Sequence, residues 1–369
     1  MASTEIRLEK RPFIKKQTFD EPLELECGGA LPSFNIAYET YGRLNEDKSN
    51  VILICHALTG DSHASSWTDE PFEGEIAGGW WEGAIGKSKA FDPEKYFIVC
   101  PNILGSCYGS TGPCSINPAT GKKYGMDFPQ MTVRDIVRSQ YLLIKSLGIE
   151  KIKSIAGGSL GGMQALEWAL LYPGFVESII PIATAARHSA WAIGLNEIQR
   201  KVIMEDPDWN NGNYETQPHK GLESARMLGM ITFRTQESFQ KKFGRNVREK
   251  NEGAYKPFYE VESYLHYQGK KLVDRYDANT HIYISRTCDL HDVAEGRGTL
   301  EEALGKIKAK TLCIGIDTDI LYPAAEQKEI ASLIPGALYK EIVSIHGHDA
   351  FLIEFDQLNK IITEFLTTI

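Results

Sequence analysis

At 369 residues, with 42% apolar and 10% aromatic side chains, the chain suits one large domain or two ordinary ones and is too apolar for a disordered segment. Its net charge of −9 comes without a lysine/arginine run, which excludes a nucleic-acid partner, and no stretch approaches the ~18 apolar residues of a membrane span. The charged N-terminus, Met1 to Lys16, lacks the apolar core of a signal peptide, and seven scattered cysteines without a C-x-x-C pair fit reduced thiols, so a cytoplasmic protein is expected.

The stretch to about Tyr41 reads as short strands with turns at Cys27-Gly28-Gly29 and Leu31-Pro32-Ser33. Val51 to Cys55 is apolar throughout, the mark of a strand buried on both faces. His56 to Asp61 follows it, and a long loop with Trp67, Trp80 and Trp81 leads to a second such strand, Tyr96 to Cys100. Val133 to Leu147 carries the period of an amphipathic helix stopped by Gly148. Strands at Ile152 to Ala156 and Val176 to Ala183 come next. Alternation of this kind implies a mostly parallel sheet with crossover helices, an α/β fold. Residues 185–305 then run polar and helix-like, far too long for a connection. They are expected to form a helical lid inserted in a core made of residues 1–184 and 306–369. A final strand–helix unit begins at Lys310. Cys55, Cys100 and Cys313 lie in or beside apolar strands and read as small buried hydrophobes.

The most informative residues are Gly157-Gly158-Ser159-Leu160-Gly161-Gly162, between a strand and a helix. A serine here could cap the helix, but G-x-S-x-G in strand–turn–helix context is the nucleophile elbow of α/β hydrolases. The sharp turn strains the serine's backbone, so its neighbours must lack bulk. A serine needs a base to take its proton and an acid to orient that base. In this fold both follow the serine, acid first. Ile316 to Pro323 offers Asp317 and Asp319; Asp319, farther from the strand end, is the expected acid. Ser344 to Leu352 offers His346 and His348; His348, directly before a helix expected from Asp349, is the expected base. The oxyanion donors are expected to be the backbone N–H groups of Leu160 and Leu58. His56 and His63 read as hydrogen-bonded walls of the site. His188, His219, His266, His281 and His291 read as surface or satisfied core residues, and no pattern suggests a metal.

With these blocks in order, the chain resembles the homoserine O-acetyltransferases. The likeness runs from about Phe34 to Phe365 and is sharpest in His56 to His63, Gly157 to Trp168, Gly221 to Met227 and Gly347 to Leu352. The resemblance implies an α/β-hydrolase fold with a helical lid, a homodimer formed through that lid, and acetyl transfer from acetyl-CoA to L-homoserine in methionine biosynthesis. It implies no cofactor beyond acetyl-CoA as substrate. It places Ser159, Asp319 and His348 at the triad positions, Arg226 as the clamp on the homoserine carboxylate and Asp349 as the receiver of its ammonium. One departure is Phe233, where the family commonly has tyrosine. Succinyl-CoA as donor, serine as acceptor and a lidded carboxylic-ester hydrolase remain the alternatives.

Overall fold

The computed structural model describes residues 13–69, 72, 76–248 and 258–369. The N-terminal charges read above up to residue 12 lie outside the described residues. The chain opens with β1 (Lys15–Phe19), a small ribbon of β2 (Leu23–Glu24) and β3 (Ala30–Leu31), and the longer β4 (Phe34–Tyr41). Then come β5 (Val51–Cys55), β6 (Phe97–Pro101), α1 (Val133–Ser146), β7 (Ser154–Gly158), α2 (Leu160–Leu171) and β8 (Ser178–Ile182). A helical run follows: α3 (Ala190–Met204), α4 (His219–Thr232), α5 (Gln236–Phe243), α6 (Glu260–Val273), α7 (Ala278–Asp289) and α8 (Leu300–Leu304). β9 (Lys310–Ile316), α9 (Ala324–Leu333), β10 (Leu338–Ile342) and α10 (Phe355–Leu366) complete the order.

One sheet takes the strands in the order β1-β4-β6-β5-β7-β8-β9-β10. The pairs from β6 through β10 are parallel, and β4 and β1 extend the edge antiparallel. This is the α/β-hydrolase architecture expected above. The central strands are buried at every position because both faces are covered. Val51, Leu53 and Cys55 meet the apolar sides of α1 and α2, while Ile52 and Ile54 meet Trp81, Phe91 and the buried stripe of α10. Cys55, Cys100 and Cys313 are buried in these layers, and all seven cysteines are unpaired.

Two boundaries around the expected site differ from the sequence reading, each because of a tertiary contact. β7 runs through Gly157 and Gly158, because their backbones still pair with Cys55 on one side and with Pro181 and Ile182 on the other. No helix starts at Asp349. Gly347–Leu352 forms a 3₁₀ turn, and α10 begins only at Phe355. Gly347 stands at φ 64°, and Trp81 Nε1 donates to the Phe351 carbonyl at 3.1 Å, so that oxygen is taken from an α-helical ladder.

Helices α3 to α8 occupy the interval between β8 and β9. Ile203, Leu222, Ala225, Leu272 and Tyr276 form a separate apolar cluster there, seated on Cys107 and Tyr108 of the loop after β6. A buried ion cluster fastens the body beneath it. Glu167 on α2 is 1% exposed and meets Arg134 Nε at 3.2 Å and Arg297 Nη2 at 2.7 Å. Removing the carboxylate would leave two guanidinium groups poorly compensated. Glu167→Ala is therefore expected to lower unfolding free energy by about 3–5 kcal/mol, read from the midpoint of a urea titration; an unchanged midpoint would refute this role.

Candidate active site

Ser159, between β7 and α2, has φ 58° and ψ −125°, a conformation that side chains rarely adopt. The turn holds it by hydrogen bonds on both sides. Ser159 N–H donates to the Ile182 carbonyl at 2.9 Å, and its own carbonyl accepts from Gly162 N at 2.9 Å and Thr184 Oγ1 at 2.7 Å. The glycines are required by close approach. A Cβ on Gly161 would run into the Cys55 carbonyl, and one on Gly158 would lie 2.5 Å from the Phe351 ring. The serine side chain makes no capping bond to its helix.

The other expected groups leave the carboxyl ends of neighbouring strands, where open α/β sheets place their sites. After β9, Asp319 divides its carboxylate. Oδ1 accepts from the N–H groups of Leu321 at 2.8 Å and Tyr322 at 3.0 Å, and Oδ2 accepts from His348 Nδ1 at 2.7 Å. Asp317 instead accepts from Ser344 N at 2.9 Å, which joins the two strand ends. Asp319 is thus the carboxylate that reaches His348. Burial disfavours the His348 imidazolium, but Asp319 at contact and Asp349 nearby outweigh it, so its pKa stands above the ordinary histidine value. Phe233, Tyr322 and Phe351 surround the ring. His346 is engaged by Ser238 Oγ at 3.0 Å and lies outside this pairing.

After β5, the His56 to Gly60 bend is clamped from several directions. His56 Nε2 accepts from Ile103 N at 3.0 Å, which leaves Nδ1 as the donor to the Ala57 carbonyl at 2.8 Å. Gln164 Nε2 donates to the His56 carbonyl at 3.1 Å. From the helical insert, Tyr276 Oη donates to the Leu58 carbonyl at 2.6 Å and Arg275 Nη1 to the Thr59 carbonyl at 2.8 Å. These bonds fix the loop through its carbonyls. Leu160, as the first residue of α2, has an N–H without an intrahelical partner. His63 is buried against Glu39, with 2.9 Å between Nδ1 and Oε2.

A cavity joins Leu58 and Ser159 to Arg226, Phe233, His281 and Tyr322. Arg226 comes from α4, and burial, then the charge of Arg275, depresses its pKa to about 10, so it remains a cation at neutral pH. No carboxylate among the described residues lies within ion-pair distance of it; Asp349 acts on it only at longer range. The Asp349 carboxylate is held 2.8 Å from Arg234 Nε, and its N–H donates to the Phe233 carbonyl at 3.1 Å. Phe233 stacks its face toward Arg226, with 5.8 Å from guanidinium carbon to ring centroid.

Several groups escaped the sequence reading. The Tyr322 hydroxyl lines the same cavity as Ser159 and lies 3.0 Å from His188 Nε2, while His188 Nδ1 lies 3.2 Å from Asp289. Tyr322 stood inside the acid loop already singled out, so its position was a usable signal. Tyr276, Arg275 and Arg234 gave none, because their targets are far away in the chain.

A family model described as the alpha/beta hydrolase fold matches residues 50–355. The homoserine O-acetyltransferase of Carboxydothermus hydrogenoformans is 50% identical over 361 residues, covering 95% of this chain and 94% of that protein. Among solved structures, homoserine O-acetyltransferase from Bacillus anthracis superposes with a TM-score of 0.86 at 34% identity, covering 96% and 98% of the two chains. Esterase E22 superposes equally well, with a TM-score of 0.86 at 32% identity over 96% of this chain and all of that one.

The raised pKa of His348 carries a sign. A general base works in its neutral form, so kcat/KM is expected to rise with pH through an apparent pKa above ~6.5. Asp319→Asn removes the partner that stabilises the imidazolium, which should move this limb to lower pH while cutting kcat about 10⁴-fold. A pH–rate series on both enzymes checks this; a limb that stays in place in the variant would exclude Asp319 as the partner.

Proposed function

This chain belongs to the homoserine O-acetyltransferase family of the α/β-hydrolase fold, and from that premise we propose that it moves the acetyl group of acetyl-CoA to the hydroxyl of L-homoserine. The product would be O-acetyl-L-homoserine for methionine biosynthesis. The observation that carries the reading is the free guanidinium of Arg226 in the same cavity as Ser159. A cation there without a carboxylate partner among the described residues suits an acceptor that brings its own carboxylate.

The geometry supports the following steps. His348, oriented by Asp319, takes the Ser159 proton as Oγ attacks the thioester carbonyl. The developing oxyanion is met by the N–H groups of Leu160 and Leu58, each worth about 10²–10³ in rate. The tetrahedral adduct collapses, the C–S bond breaks, and CoA leaves as the thiol with the proton from His348. Homoserine then binds with its carboxylate on Arg226 and its ammonium toward Asp349, whose pairing with Arg234 would be shared. His348 takes the hydroxyl proton, the oxygen attacks the acetyl-serine, and Ser159 is released with its proton restored. Acetyl is favoured over succinyl because the cation nearest the loop, Arg275, is engaged with Thr59 and Tyr108 and faces the charge of Asp61. The cytoplasm is the compartment we assign, from seven unpaired thiols.

Purified protein mixed with acetyl-CoA should release CoA thiol rapidly only when L-homoserine is present. Ser159→Ala should lose at least about 10⁴ of that rate while keeping its circular dichroism spectrum. Steady release without homoserine would give the esterase reading that the likeness to E22 supports. Dependence on succinyl-CoA or L-serine would keep the mechanism and change the substrates.

The lid is also our proposed dimer surface. α3 leaves Trp191 and Ile198 57% and 51% exposed, two helical turns apart, and Ile231 on α4 is 47% exposed. Sedimentation equilibrium should return twice the 41.3 kDa chain mass, and Trp191→Glu with Ile198→Glu should return the monomer; a monomeric wild type removes the proposal.

A further inference from the structure

His281 sits on α7 with its imidazole buried, 3% exposed, and neither Nδ1 nor Nε2 has a hydrogen-bond partner. Most other buried histidines among the described residues have one. His56 uses both nitrogens, His63 bonds Glu39 and the Ala77 carbonyl, His188 meets Tyr322 and His348 holds Asp319, while His291 leaves its Nε2 unpartnered. A buried polar ring left without partners is costly and calls for an explanation. The position is not loose. Asp277 caps α7 by accepting from Thr280 N at 2.8 Å, and the Tyr276 ring stands edge-on to the imidazole with 6.2 Å between centroids.

The explanation lies in what the ring faces. His281 lines the same cavity as Ser159 and Arg226, and it feels the charges of Arg226 and Arg200. Burial, followed by those two cations, pushes its pKa down to about 4, so at neutral pH the ring is uncharged and offers one N–H. A site with a cation and a free neutral donor repels an ammonium and attracts a carboxylate. Arg200 is itself paired, 2.7 Å from Asp289, which leaves Arg226 as the charge beside His281 without an ion-pair partner among the described residues.

We propose that His281 is a specificity-determining residue for the acceptor: its ring N–H donates to the acceptor carboxylate, alongside the guanidinium of Arg226. The inference rests on the reading of a homoserine-type acceptor given above. It makes carboxylate recognition a joint task of α4 and α7. No covalent step passes through His281; it orders the acceptor so that the hydroxyl lies at the acetyl-serine.

The test compares acceptors with and without the carboxylate. Initial rates at saturating acetyl-CoA are measured for L-homoserine and for 3-amino-1-propanol, with wild type, His281→Phe and His281→Asn. His281→Phe keeps the bulk and loses the donor; its KM for homoserine should rise about 10–100-fold with kcat within about threefold. His281→Asn keeps a donor and should recover most of the loss. With 3-amino-1-propanol, kcat/KM should differ by less than about threefold among the enzymes, since no carboxylate is present. An unchanged homoserine KM in His281→Phe, or an equal loss with both acceptors, overturns the inference.

If the variants do not fold, the Ser159→Ala chain supplies the second readout. Adding L-homoserine should shift one histidine Cε1–H resonance that is assigned from a selectively labelled sample, and saturation by homoserine without a shift at His281 overturns the inference. Wild type that ignores homoserine altogether defeats the acceptor reading itself. Wild type that uses homoserine while His281→Phe matches it defeats only the role of His281.

Discussion

The backbone of Ser159 is the constraint on which the rest is built. A non-glycine residue at φ 58° costs on the order of 1–3 kcal/mol, and it persists only where its surroundings over-determine it. Here they do. Ser159 N–H is tied to β8, its carbonyl is tied to Gly162 and Thr184, and the Cys55 carbonyl fills the space a side chain at Gly161 would need. The strained turn points the hydroxyl away from its own helix and leaves the Leu160 N–H open at the helix start, where negative charge is favoured. Buried polar contacts spread this constraint outward. Trp168 donates to Gln140 at 2.8 Å, Gln140 to Gln164 at 2.7 Å, and Gln164 to the His56 carbonyl, so α1, α2 and the loop after β5 hold one another.

The helical insert is bonded to the reacting end of the sheet rather than merely placed above it. Tyr276 and Arg275 hold the carbonyls of Leu58 and Thr59. On the opposite side, Asp349 N–H donates to the Phe233 carbonyl, and Thr235 Oγ1 donates to the carbonyl of Ile345. One set of contacts holds the loop after β5, the other seats the histidine loop. This matters for the choice between hydrolysis and transfer, since a transferase must exclude water and pre-position its acceptor. The superposition with an esterase shows that the sheet and insert alone do not make that choice. Side chains inside the cavity must make it, and Arg226 is the group whose charge asks for an amino-acid carboxylate.

Much of this was legible in the sequence because its signals are local. Val51 to Cys55 could only be a strand covered on both faces, and the glycine pattern around Ser159 has one common use. Asp319 over Asp317, and His348 over His346, followed from loop position, and the structure pairs the first of each. The boundaries at Gly158 and Phe355 were missed because they depend on tertiary bonds: β7 is prolonged by its neighbours, and α10 is delayed by Trp81 at Phe351. The insert was the least legible part. His281 read as an ordinary lid histidine because nothing along α7 says that its ring ends in the cavity of Ser159. Arg234 next to Phe233 gave no hint that it would hold Asp349. Helical period predicts which face is buried, not what that face meets.

Two Asp–His pairs meet at Tyr322, and they are not equivalent. Asp319 contacts His348 directly at 2.7 Å and raises its pKa, which makes that imidazole the group able to accept a proton near neutrality. Asp289 lies 3.2 Å from His188, and His188 pairs with the Tyr322 hydroxyl, which lines the cavity of Ser159. Burial drives the Tyr322 pKa far above its ordinary value, so this hydroxyl keeps its proton throughout the working range. It cannot compete with His348 as base. The asymmetry has a use in the proposed double displacement. The same imidazole must serve the serine in one half and the acceptor hydroxyl in the other, and a second titrating base at Ser159 would blur which oxygen is deprotonated. A neutral phenol on one side and a poised imidazole on the other leave a single route for the proton.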